Sequence, residues 1–460
     1  MIDLAESDPR RIAFTILRRV EQEGAYSSVL LQHMDAGELE PRDLALITEL
    51  VYGVLRRQMY LDHVIASFST RPLERIDPDL RLTLRLALYQ VLFLTRIPPH
   101  AAVNEAVNMA RTRAGHRADA AAAFVNGLLR TVVRERSRVP PQRLPRQGDD
   151  PAAALAVAES HPEWLVRRWL ERFGFEETSR LLIAQNRPAP MAMRVTRRAS
   201  SRQSVAAALQ AESIATRPSR WLDDFLIAVD GAPQRTPSFR RGDLYIQDEA
   251  SGLVARLADA GPGCRILDAC AAPGGKALYL AEQAGPEGLV VAGDLHPSRL
   301  RMLRENIERL GLTWCLPVAA DFADHEAPLR TGVTFDLVFL DAPCSGTGVT
   351  RRNPELRYRV SPESLDRLAQ VQTSLLDRCA CLVRPGGALV YSVCSLEPEE
   401  GVQQVSRFLD GHQQFSLEDP RLLMPETARV LAVEGQQVVV TLPHRDDLDG
   451  FFAARLVRQR

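Results

Sequence analysis

The hydrophobic and polar positions of this chain change their spacing along its length. Up to about residue 136, apolar residues recur every three or four positions, as at Val125, Leu129 and Val132, which is the spacing of one face of an α-helix. From Leu244 onward, short apolar runs alternate with helical stretches, which is typical of β-α units and a parallel sheet. We therefore predict an all-helical region followed by an α/β domain with a doubly wound sheet.

One stretch of the helical region has an ambiguous pattern. Every second residue from Leu80 to Leu88 is leucine, which imitates the alternation of a β-strand. The apolar stretch continues to Leu94 and contains Ala, Arg and Gln residues, which are good helix formers. Its length and composition favour a buried helix.

The chain between these two regions changes character twice. Residues 137–160 contain Pro140, Pro145 and Pro151 among charged residues, which predicts a linker. The next segment opens with a helical pattern from Trp164 to Phe173 and continues with short strand-like pieces, which predicts a small α+β lobe. The predicted division is an all-helical domain at 1–136, a linker at 137–160, the lobe at 161–241 and the α/β domain at 242–460.

Apolar runs of strand length mark the expected sheets. They lie at Met191–Val195 and Leu226–Val229 in the lobe, and at Arg265–Asp268, Leu289–Asp294, Leu316–Val318, Phe335–Leu340 and Gly387–Ser392 in the α/β domain. The clearest helix between them is predicted at Pro297–Leu310.

The first strand-to-helix turn of the predicted α/β domain is rich in small residues. The strand that ends at Asp268 leads into a loop with Gly274 and Gly275, and ligands of open α/β sheets bind at such turns. A P-loop is excluded, because Cys270 and Ala277 stand where that motif needs Gly and Ser or Thr. The turn also lacks the G-x-G-x-x-G spacing of a dinucleotide fingerprint.

Carboxylates follow three later strands, at Asp294, Asp321 and Asp341. An acidic residue at the end of the next strand can bind the two hydroxyls of a ribose, so Asp294 indicates an adenosine-like ligand. Aspartates at strand ends also cap helices, which is the alternative interpretation.

Composition changes this picture only in part. With 460 residues, of which 45% are hydrophobic and 25% charged, the chain is expected to form two or three soluble domains. No apolar run is long enough to span a membrane and the first residues do not resemble an export signal, so we expect a cytoplasmic protein. The net charge of −1 does not indicate a nucleic-acid binder, and Lys276 is the single lysine.

The cysteines indicate a reducing compartment rather than disulfides or a metal site. The chain has seven, all from Cys264 onward, and an odd number suits free thiols. Cys379 and Cys381 have no second Cys or His pair nearby, so we expect both to be buried helix residues and no metal to be bound.

Three motifs in fixed order carry a resemblance to a known family. Asp-Ala-Cys-Ala-Ala-Pro-Gly-Gly-Lys at 268–276, Asp-Ala-Pro-Cys-Ser-Gly-Thr-Gly at 341–348 and Tyr-Ser-Val-Cys-Ser at 391–395 resemble the Sun-type S-adenosylmethionine-dependent RNA cytosine-5 methyltransferases. Residues 99–107 and 124–130 resemble the NusB-like RNA-binding domain of the bacterial ribosomal members. The segment at 161–241 is similar to the family's small RNA-binding lobe.

The resemblance implies a Rossmann-like catalytic domain and a place for the cofactor. Asp294 would hold the ribose, Asp321 would lie by the adenine, and Asp341 near the methyl group and the target base. The remaining implied S-adenosylmethionine-binding residues are those of the glycine turn, Cys270, Ala271, Ala272, Pro273, Gly274, Gly275 and Lys276.

The chemistry of the implied reaction requires a thiol. Carbon-5 of cytosine is a poor nucleophile, but a thiolate that adds to carbon-6 makes it reactive towards a methyl sulfonium. A thiol with its ordinary pKa of about 8.5 needs positive charge nearby to be ionised at neutral pH. The resemblance implies that Cys394 attacks and Cys344 assists release, and Asp341 is expected to hydrogen-bond the cytosine ring.

Two residues depart from the family pattern, in which Thr usually precedes the nucleophile and Asn follows Pro-Glu-Glu. This chain has Val393 and Gly401 there. We expect a monomeric methyltransferase acting on small-subunit (16S) ribosomal RNA, without membrane or metal. The alternatives are a transfer RNA methyltransferase and a catalytically idle RNA-binding assembly factor.

Overall fold

The chain folds into two compact units. The structure, a computed structural model, describes residues 8–32, 34, 39–113, 115–140, 150–323, 332–424, 431–433 and 435–460. One unit, called here the helical unit, comprises Met1–Arg187 and Thr350–Arg359. The other, called here the sheet unit, comprises Pro188–Val349 and Val360–Arg460. Within the described residues no helix has the length and apolar character needed to cross a membrane.

The helical unit confirms the helix-spaced pattern. Its described helices are α1 Pro9–Gln22, α2 Ser27–Gln32, α3 Pro41–Phe68, α4 Pro78–Phe93, α5 Pro99–Arg113, α6 Ala118–Arg134, α7 Pro151–Glu159 and α8 Glu163–Gln185. Three of them begin at an Asp-Pro pair, in which Asp8, Asp77 or Asp150 accepts a hydrogen bond from a backbone N–H of the first turn. Proline is suited to the first helical position, since its missing N–H would have no partner there.

The leucine-rich stretch is a helix, as its length indicated. Helix α4 buries Leu82, Leu84, Leu86 and Leu88, so it is surrounded by other helices on nearly all sides. Its one buried arginine, Arg85, is paired with carboxylates of α1 and α3.

A short segment from late in the chain belongs to the helical unit. Within Thr350–Arg359, the buried Glu355 accepts hydrogen bonds from the backbone N–H and the hydroxyl of Ser27, at 2.7 and 3.0 Å. The fully buried Arg357 donates to Asn186 at 2.8 Å. These contacts hold the segment among the helices.

Residues 141–149 of the predicted linker lie outside the described residues, and α7 occupies most of its remainder. The division into four predicted segments stays a prediction.

The first part of the sheet unit is a small α+β lobe. Its elements are β1 Met191–Val195, α9 Arg202–Ala211, β2 Thr216–Pro218, β3 Phe225–Ala228, α10 Pro237–Arg241 and β4 Leu244–Ile246. The strands form a four-stranded antiparallel sheet in the order β2-β3-β1-β4. Both predicted strands of this lobe are confirmed.

The second part of the sheet unit is the α/β domain. Its elements are α11 Glu249–Leu257, β5 Arg265–Asp268, α12 Gly275–Ala284, β6 Leu289–Asp294, α13 Leu300–Leu310, β7 Cys315–Ala319, β8 Phe335–Asp341, α14 Pro362–Leu382, β9 Val383–Val393, α15 Val402–Gly411, β10 Phe415–Leu417, β11 Ala432–Val433, β12 Val438–Thr441, α16 Pro443–Asp446 and β13 Phe451–Arg458. The five predicted strands are confirmed, with differences at their ends. The predicted helix at Pro297–Leu310 begins three residues later, at Leu300.

The strand order gives this sheet a switch point. The described strands pair in the order β11-β12-β13-β9-β8-β5-β6-β7, and β10 pairs with β13. Strands β9, β8, β5, β6 and β7 are parallel, whereas β13 runs antiparallel to β9. Because the chain moves outward in opposite directions from β5 and β8, their carboxyl ends form the crevice in which ligands of such sheets bind.

One prediction about cysteines is wrong in part. Cys379 is fully buried, as expected, but Cys381 is exposed, because two residues along α14 turn the side chain away from the core.

Candidate active site

The glycine turn connects β5 to α12 and has little room for side chains. Gly274 has φ 117°, which favours glycine, and a Cβ there would lie 2.6 Å from Leu303 Cδ1. The N–H of Ala271 donates to the carbonyl of Gly293 at 2.7 Å, which ties the turn to β6. Helix α12 begins directly after this turn, and its first backbone N–H groups have no partner within the helix.

The next two strand-end carboxylates lie beside this turn. Asp294 ends β6 and is almost fully buried, and one of its oxygens accepts from the N–H of His296 at 2.8 Å. Asp321 follows β7, is exposed, and accepts from the N–H of Ala323 at 2.9 Å. Each carboxylate thus stabilises its own loop through one oxygen, so the alternative interpretation, in which these aspartates bond to nearby backbone N–H groups, accounts for one oxygen of each. A second oxygen on each remains to bind a ligand.

Asp268, at the end of β5, has an unusual environment. It is 1% exposed, and its Oδ1 accepts a long hydrogen bond of 3.3 Å from the N–H of Cys270. Among the described residues, its Oδ2 has no hydrogen-bond partner. Burial, together with the charge of Asp341, raises the pKa of Asp268 to about 8. The carboxyl oxygen without a partner can hydrogen-bond a ligand, as a donor when Asp268 is protonated or as an acceptor when it is ionised.

Lys276 and Asp341 form the charged centre of the crevice. Lys276 Nζ donates to Asp341 Oδ2 at 2.8 Å, and the Ser392 hydroxyl donates to Oδ1 at 2.8 Å. Burial alone would lower the pKa of Lys276, but the charge and hydrogen bond of Asp341 outweigh it and raise the pKa. The lysine therefore stays a cation although it is largely buried. Its ammonium also lies 5.3 Å from the ring centroid of Phe451.

The two predicted cysteines lie together at the ends of neighbouring strands. Cys344 follows β8 and Cys394 follows β9, and their Sγ atoms are 3.3 Å apart. The hydrogen bond with Cys394, together with burial and nearby negative charge, raises the pKa of Cys344 well above its ordinary value. Cys394 contributes to the charges that hold Lys276 protonated, so the positive charge expected near the thiols is Lys276.

Glycines allow the loops around the thiols to touch through their backbones. A Cβ on Gly348 would lie 2.0 Å from the carbonyl oxygen of Gly450, whose N–H donates to the Gly348 carbonyl at 2.9 Å. In addition, the N–H of Gly348 donates to the carbonyl of Cys394 at 3.0 Å. The loop before β13 therefore closes over the Cys344 loop with no side chain between.

The two departures from the family pattern meet the same aromatic ring. Val393 is fully buried and lies opposite Phe452 in the pairing of β9 with β13. A Cβ on Gly401 would lie 3.2 Å from the Phe452 ring. Both positions thus pack against one core side chain beside the site.

Sequence reasoning missed several polar residues of this site. Ser392, Gln372 and Glu400 are all fully buried, and their hydrogen bonds reach Asp341 and the Cys344 loop. Ser392 lies within the Tyr-Ser-Val-Cys-Ser motif, so its position next to a candidate nucleophile was a usable signal. Gln372 lies in the middle of α14, and nothing in the sequence around it indicated a role in the site.

Three family models match successive parts of the chain. The model described as 16S rRNA methyltransferase RsmB/F matches residues 257–457, the NusB family model matches residues 7–134, and the ferredoxin-like domain model of RsmF/B-like methyltransferases matches residues 161–232. A Bacillus subtilis protein named probable ribosomal RNA small subunit methyltransferase B is 37% identical over 98% of both chains. The chain belongs to this family.

Two further comparisons agree with that membership. The ribosomal RNA small subunit methyltransferase B of Vibrio cholerae is 33% identical, over 95% of this chain and 97% of the relative. The crystal structure of PH0851 matches with a TM-score of 0.80 and 25% identity, over 98% of this chain and 99% of that one. The predicted Rossmann-like fold with a helical NusB-like domain is confirmed.

Membership establishes an S-adenosylmethionine-dependent RNA cytosine-5 methyltransferase of the Sun type, and the crevice fits this cofactor. The turn at Gly274 leads into the N-terminus of α12, which is a site suited to a ligand, and Asp294 can bind ribose hydroxyls. The Oδ2 of Asp268, which has no hydrogen-bond partner among the described residues, offers a further polar contact close by.

Proposed function

We propose that this protein methylates carbon-5 of a cytosine in 16S ribosomal RNA through a covalent bond between Cys394 and carbon-6. The observation that carries the proposal is the pair of thiols 3.3 Å apart, beside a cation and a carboxylate. One thiol can attack the base while the other lies within reach of the same ring. A single cysteine would have no such partner for the later proton removal.

The proposed cofactor contacts come from the glycine turn, Asp294 and Asp321. When bound, S-adenosylmethionine supplies an electrophilic methyl group on a sulfonium sulfur. The residues expected to hold it are Cys270, Ala271, Ala272, Pro273, Gly274, Gly275, Lys276, Asp294, Asp321 and Asp341. Asp294 is nearly buried and Asp321 exposed, so Asp294 is expected to make the stronger contact.

In the proposed first step, the Cys394 thiolate forms a bond to carbon-6. The electron pair of the carbon-5 to carbon-6 double bond moves to form a double bond between carbon-5 and carbon-4, and the electron pair of the carbon-4 to nitrogen-3 double bond moves to nitrogen-3, which is protonated. The resulting enamine makes carbon-5 nucleophilic. Lys276 stabilises the thiolate before attack. Lys276 and Ser392 orient Asp341 so that its remaining lone pairs accept hydrogen bonds from the amino group and from the protonated ring nitrogen of the cytosine. Carbon-5 then accepts the methyl group.

In the proposed last step, the Cys344 thiolate removes the proton from carbon-5. The carbon-5 to carbon-6 double bond re-forms, the carbon–sulfur bond breaks, and Cys394 leaves as a thiolate. Because its pKa is raised, Cys344 stays a thiol before Cys394 attacks as the negatively charged thiolate. Attack removes that charge and so makes ionisation of Cys344 easier.

The choice of small-subunit ribosomal RNA as substrate is supported by the names of the relatives and by the NusB family match over residues 7–134. A transfer RNA substrate remains the alternative within the same chemistry.

Two cysteine variants test the mechanism. We expect Cys394→Ala to lose methylation and to form no bond to RNA. Cys344→Ala should methylate but fail to release, so that a protein–RNA adduct survives denaturing electrophoresis. Cys381→Ala, which changes an exposed cysteine of α14, is the matched control and should behave as wild type.

The substrate in this experiment should be 16S ribosomal RNA from cells that lack the gene, with transfer RNA from the same cells in parallel. An adduct that forms in Cys394→Ala and is absent from Cys344→Ala would reverse the two roles. Methylation confined to transfer RNA would refute the ribosomal substrate, and absence of both methylation and adduct in the wild type would favour the idle assembly factor.

A further inference from the structure

A buried carboxylate joins the loops of the two thiols. Glu400 lies between β9 and α15 and is fully buried, although it follows a polar Glu-Pro-Glu stretch. Its Oε1 accepts hydrogen bonds from the N–H of Ser345 at 2.9 Å and from Gln372 Nε2 at 3.1 Å. Its Oε2 accepts from the Ser345 hydroxyl. The residue next to Cys344 is thus held by the carboxylate through both its backbone and its side chain.

The same contacts extend to the residue after Cys394. The Ser345 hydroxyl lies 3.1 Å from the Ser395 hydroxyl, which also lies 3.3 Å from that of Thr347. The residues that follow the two cysteines therefore touch each other directly above Glu400. Each cysteine is fixed by its neighbour, so the 3.3 Å between the sulfur atoms depends on this arrangement.

A third set of contacts fixes Glu400 itself. Gln372 of α14 donates to the Pro343 carbonyl at 2.9 Å as well as to Glu400, and Tyr391 of β9 donates to the Glu400 carbonyl at 2.6 Å. A buried network in which each member has partners is rigid, whereas a buried carboxylate without donors would be costly. The structure therefore supplies donors to Glu400 from three separate elements.

We propose that Glu400 is a positioning residue for release: it holds Cys344 against Cys394, and its negative charge opposes loss of the Cys344 proton. The inference rests on the proposed function, since it assigns Cys344 to the release step. It adds a residue that does not belong to the implied cofactor-binding set and that acts through Ser345.

The charges around Cys344 make the electrostatic part of this role specific. The groups that face it are Cys394, Glu400, Asp341 and the Tyr391 hydroxyl, and burial raises the pKa of Tyr391 so that it stays neutral. Once Cys394 is bonded to carbon-6, Glu400 and Asp341 are the negative charges that remain. Removal of the Glu400 charge should therefore lower the pKa of Cys344 during release.

Three variants separate geometry from charge. Glu400→Gln keeps the shape and most of the hydrogen bonds but removes the charge. Ser345→Ala keeps the charge but removes the hydroxyl that joins the loops. Glu400→Ala removes both, and Glu399→Gln is the matched control at the neighbouring carboxylate. The measurement is the rate at which the adduct with 16S ribosomal RNA decays, as a function of pH.

The expected results differ in direction. In Glu400→Gln the rise of the decay rate with pH should move about one unit lower, which is the smaller end of the shifts that a neighbouring charge produces. In Ser345→Ala the decay should slow at least about tenfold, the effect of a misplaced group on a positioned reaction, without a shift of the pH profile. Glu400→Ala should accumulate adduct, and Glu399→Gln should match the wild type.

A pH profile of Glu400→Gln that coincides with wild type would overturn the electrostatic role. Unchanged decay in both Ser345→Ala and Glu400→Ala would overturn the positioning role. If Glu400→Ala does not fold, as judged by loss of S-adenosylmethionine binding, the other two variants still decide. Failure of the proposed function is distinct, because then the wild type and Cys344→Ala would form no adduct at all.

Discussion

The two halves of the crevice are built by different kinds of contact. In the cofactor half, at the carboxyl ends of β5, β6 and β7, the aspartates bond to backbone groups two residues further along the chain, as Asp294 does to His296. In the thiol half, at the ends of β8 and β9 and the start of β13, the partners lie far apart in sequence, as Ser345 and Glu400 do at a separation of 55 residues. The cofactor half is therefore shaped by hydrogen bonds within short turns, whereas the thiol half depends on contacts that form only when distant parts of the chain have folded together.

This difference has an energetic consequence. Loops stabilised by local hydrogen bonds can keep their shape when one side chain changes, because each contact is formed independently. A buried network shares its members, so removal of one affects the others. We therefore expect changes in the thiol half to affect both stability and chemistry. Changes in the cofactor half should affect mainly ligand affinity, except at the buried Asp268, which interacts electrostatically with Asp341 of the thiol half.

The largest effect is expected at Asp268, where the two halves meet. Its pKa is about 8 in the folded state against an ordinary 3.8, so the unfolded chain loses the proton first as pH rises. The contribution of Asp268 to the free energy of unfolding is therefore fully present below about pH 4. It is lost as the pH rises to about 8, which lowers the free energy of unfolding by an amount on the order of 5 kcal/mol. Asp268→Asn should remove this loss, and thermal unfolding of the ligand-free protein between pH 4 and 9 measures it.

The control for that series is Glu287→Gln, which removes an exposed carboxylate of the same unit. Its stability should follow that of the wild type at every pH. Parallel curves for Asp268→Asn and wild type would mean that Asp268 is ionised in the folded protein throughout this range.

A smaller effect is expected from Lys276→Met, which removes the contact between the halves. Lys276 lies on the cofactor loop but bonds to Asp341 of the thiol half, and the change leaves that carboxylate unpaired. Breaking a buried pair costs about 3–5 kcal/mol, and the lower figure applies here because Asp341 is 29% exposed. Denaturant unfolding measures this loss, and adduct formation should fall in parallel.

The matched variant is Lys276→Arg, which keeps the charge but replaces a flexible ammonium with a planar fork. It should retain most of the stability and only part of the activity. Full stability in Lys276→Met would show that the two halves are independent, contrary to the comparison drawn above.

The smallest effect is expected from Asp294→Ala in the cofactor half. Loss of a charged hydrogen bond should weaken S-adenosylmethionine binding by about 2 kcal/mol, or roughly thirtyfold. At saturating cofactor the rate of adduct formation should be unchanged, because Asp294 contacts no group of the thiol half that the structure describes. Titration calorimetry and adduct assays on the same preparation test both parts.

Asp294→Asn, which can still accept from His296, distinguishes ligand contact from loop support. If it binds cofactor as the wild type does, a hydrogen bond suffices and the charge is not needed. Unchanged affinity in a folded Asp294→Ala would refute the ribose contact.

The cofactor half and the thiol half also differ in how well the sequence predicts them. The strands and the glycine turn were predictable because apolar runs and small residues act within a few positions, as from Arg265 to Gly275. The polar partners of the thiol half were not predictable, because Glu400 follows a Glu-Pro-Glu stretch and so has the pattern of an exposed turn. Its burial depends on α14 and β9, which supply Gln372 and Tyr391 as donors. Lys276 was predicted by its place in the turn, but its partner Asp341 lies 65 residues away.

The helical unit is a discontinuous domain, with consequences for how such a protein can arise and be altered. Its main body precedes the sheet unit in the chain, yet Glu355 and Arg357, whose charges are buried among its helices, are encoded within the methyltransferase sequence. Simple end-to-end fusion of two genes would deliver the body without this segment, leaving Ser27 and Asn186 without these partners. The two segments of the helical unit therefore have to be inherited together. An exchange of this unit between relatives has to include residues 350–359 as well as residues 1–187.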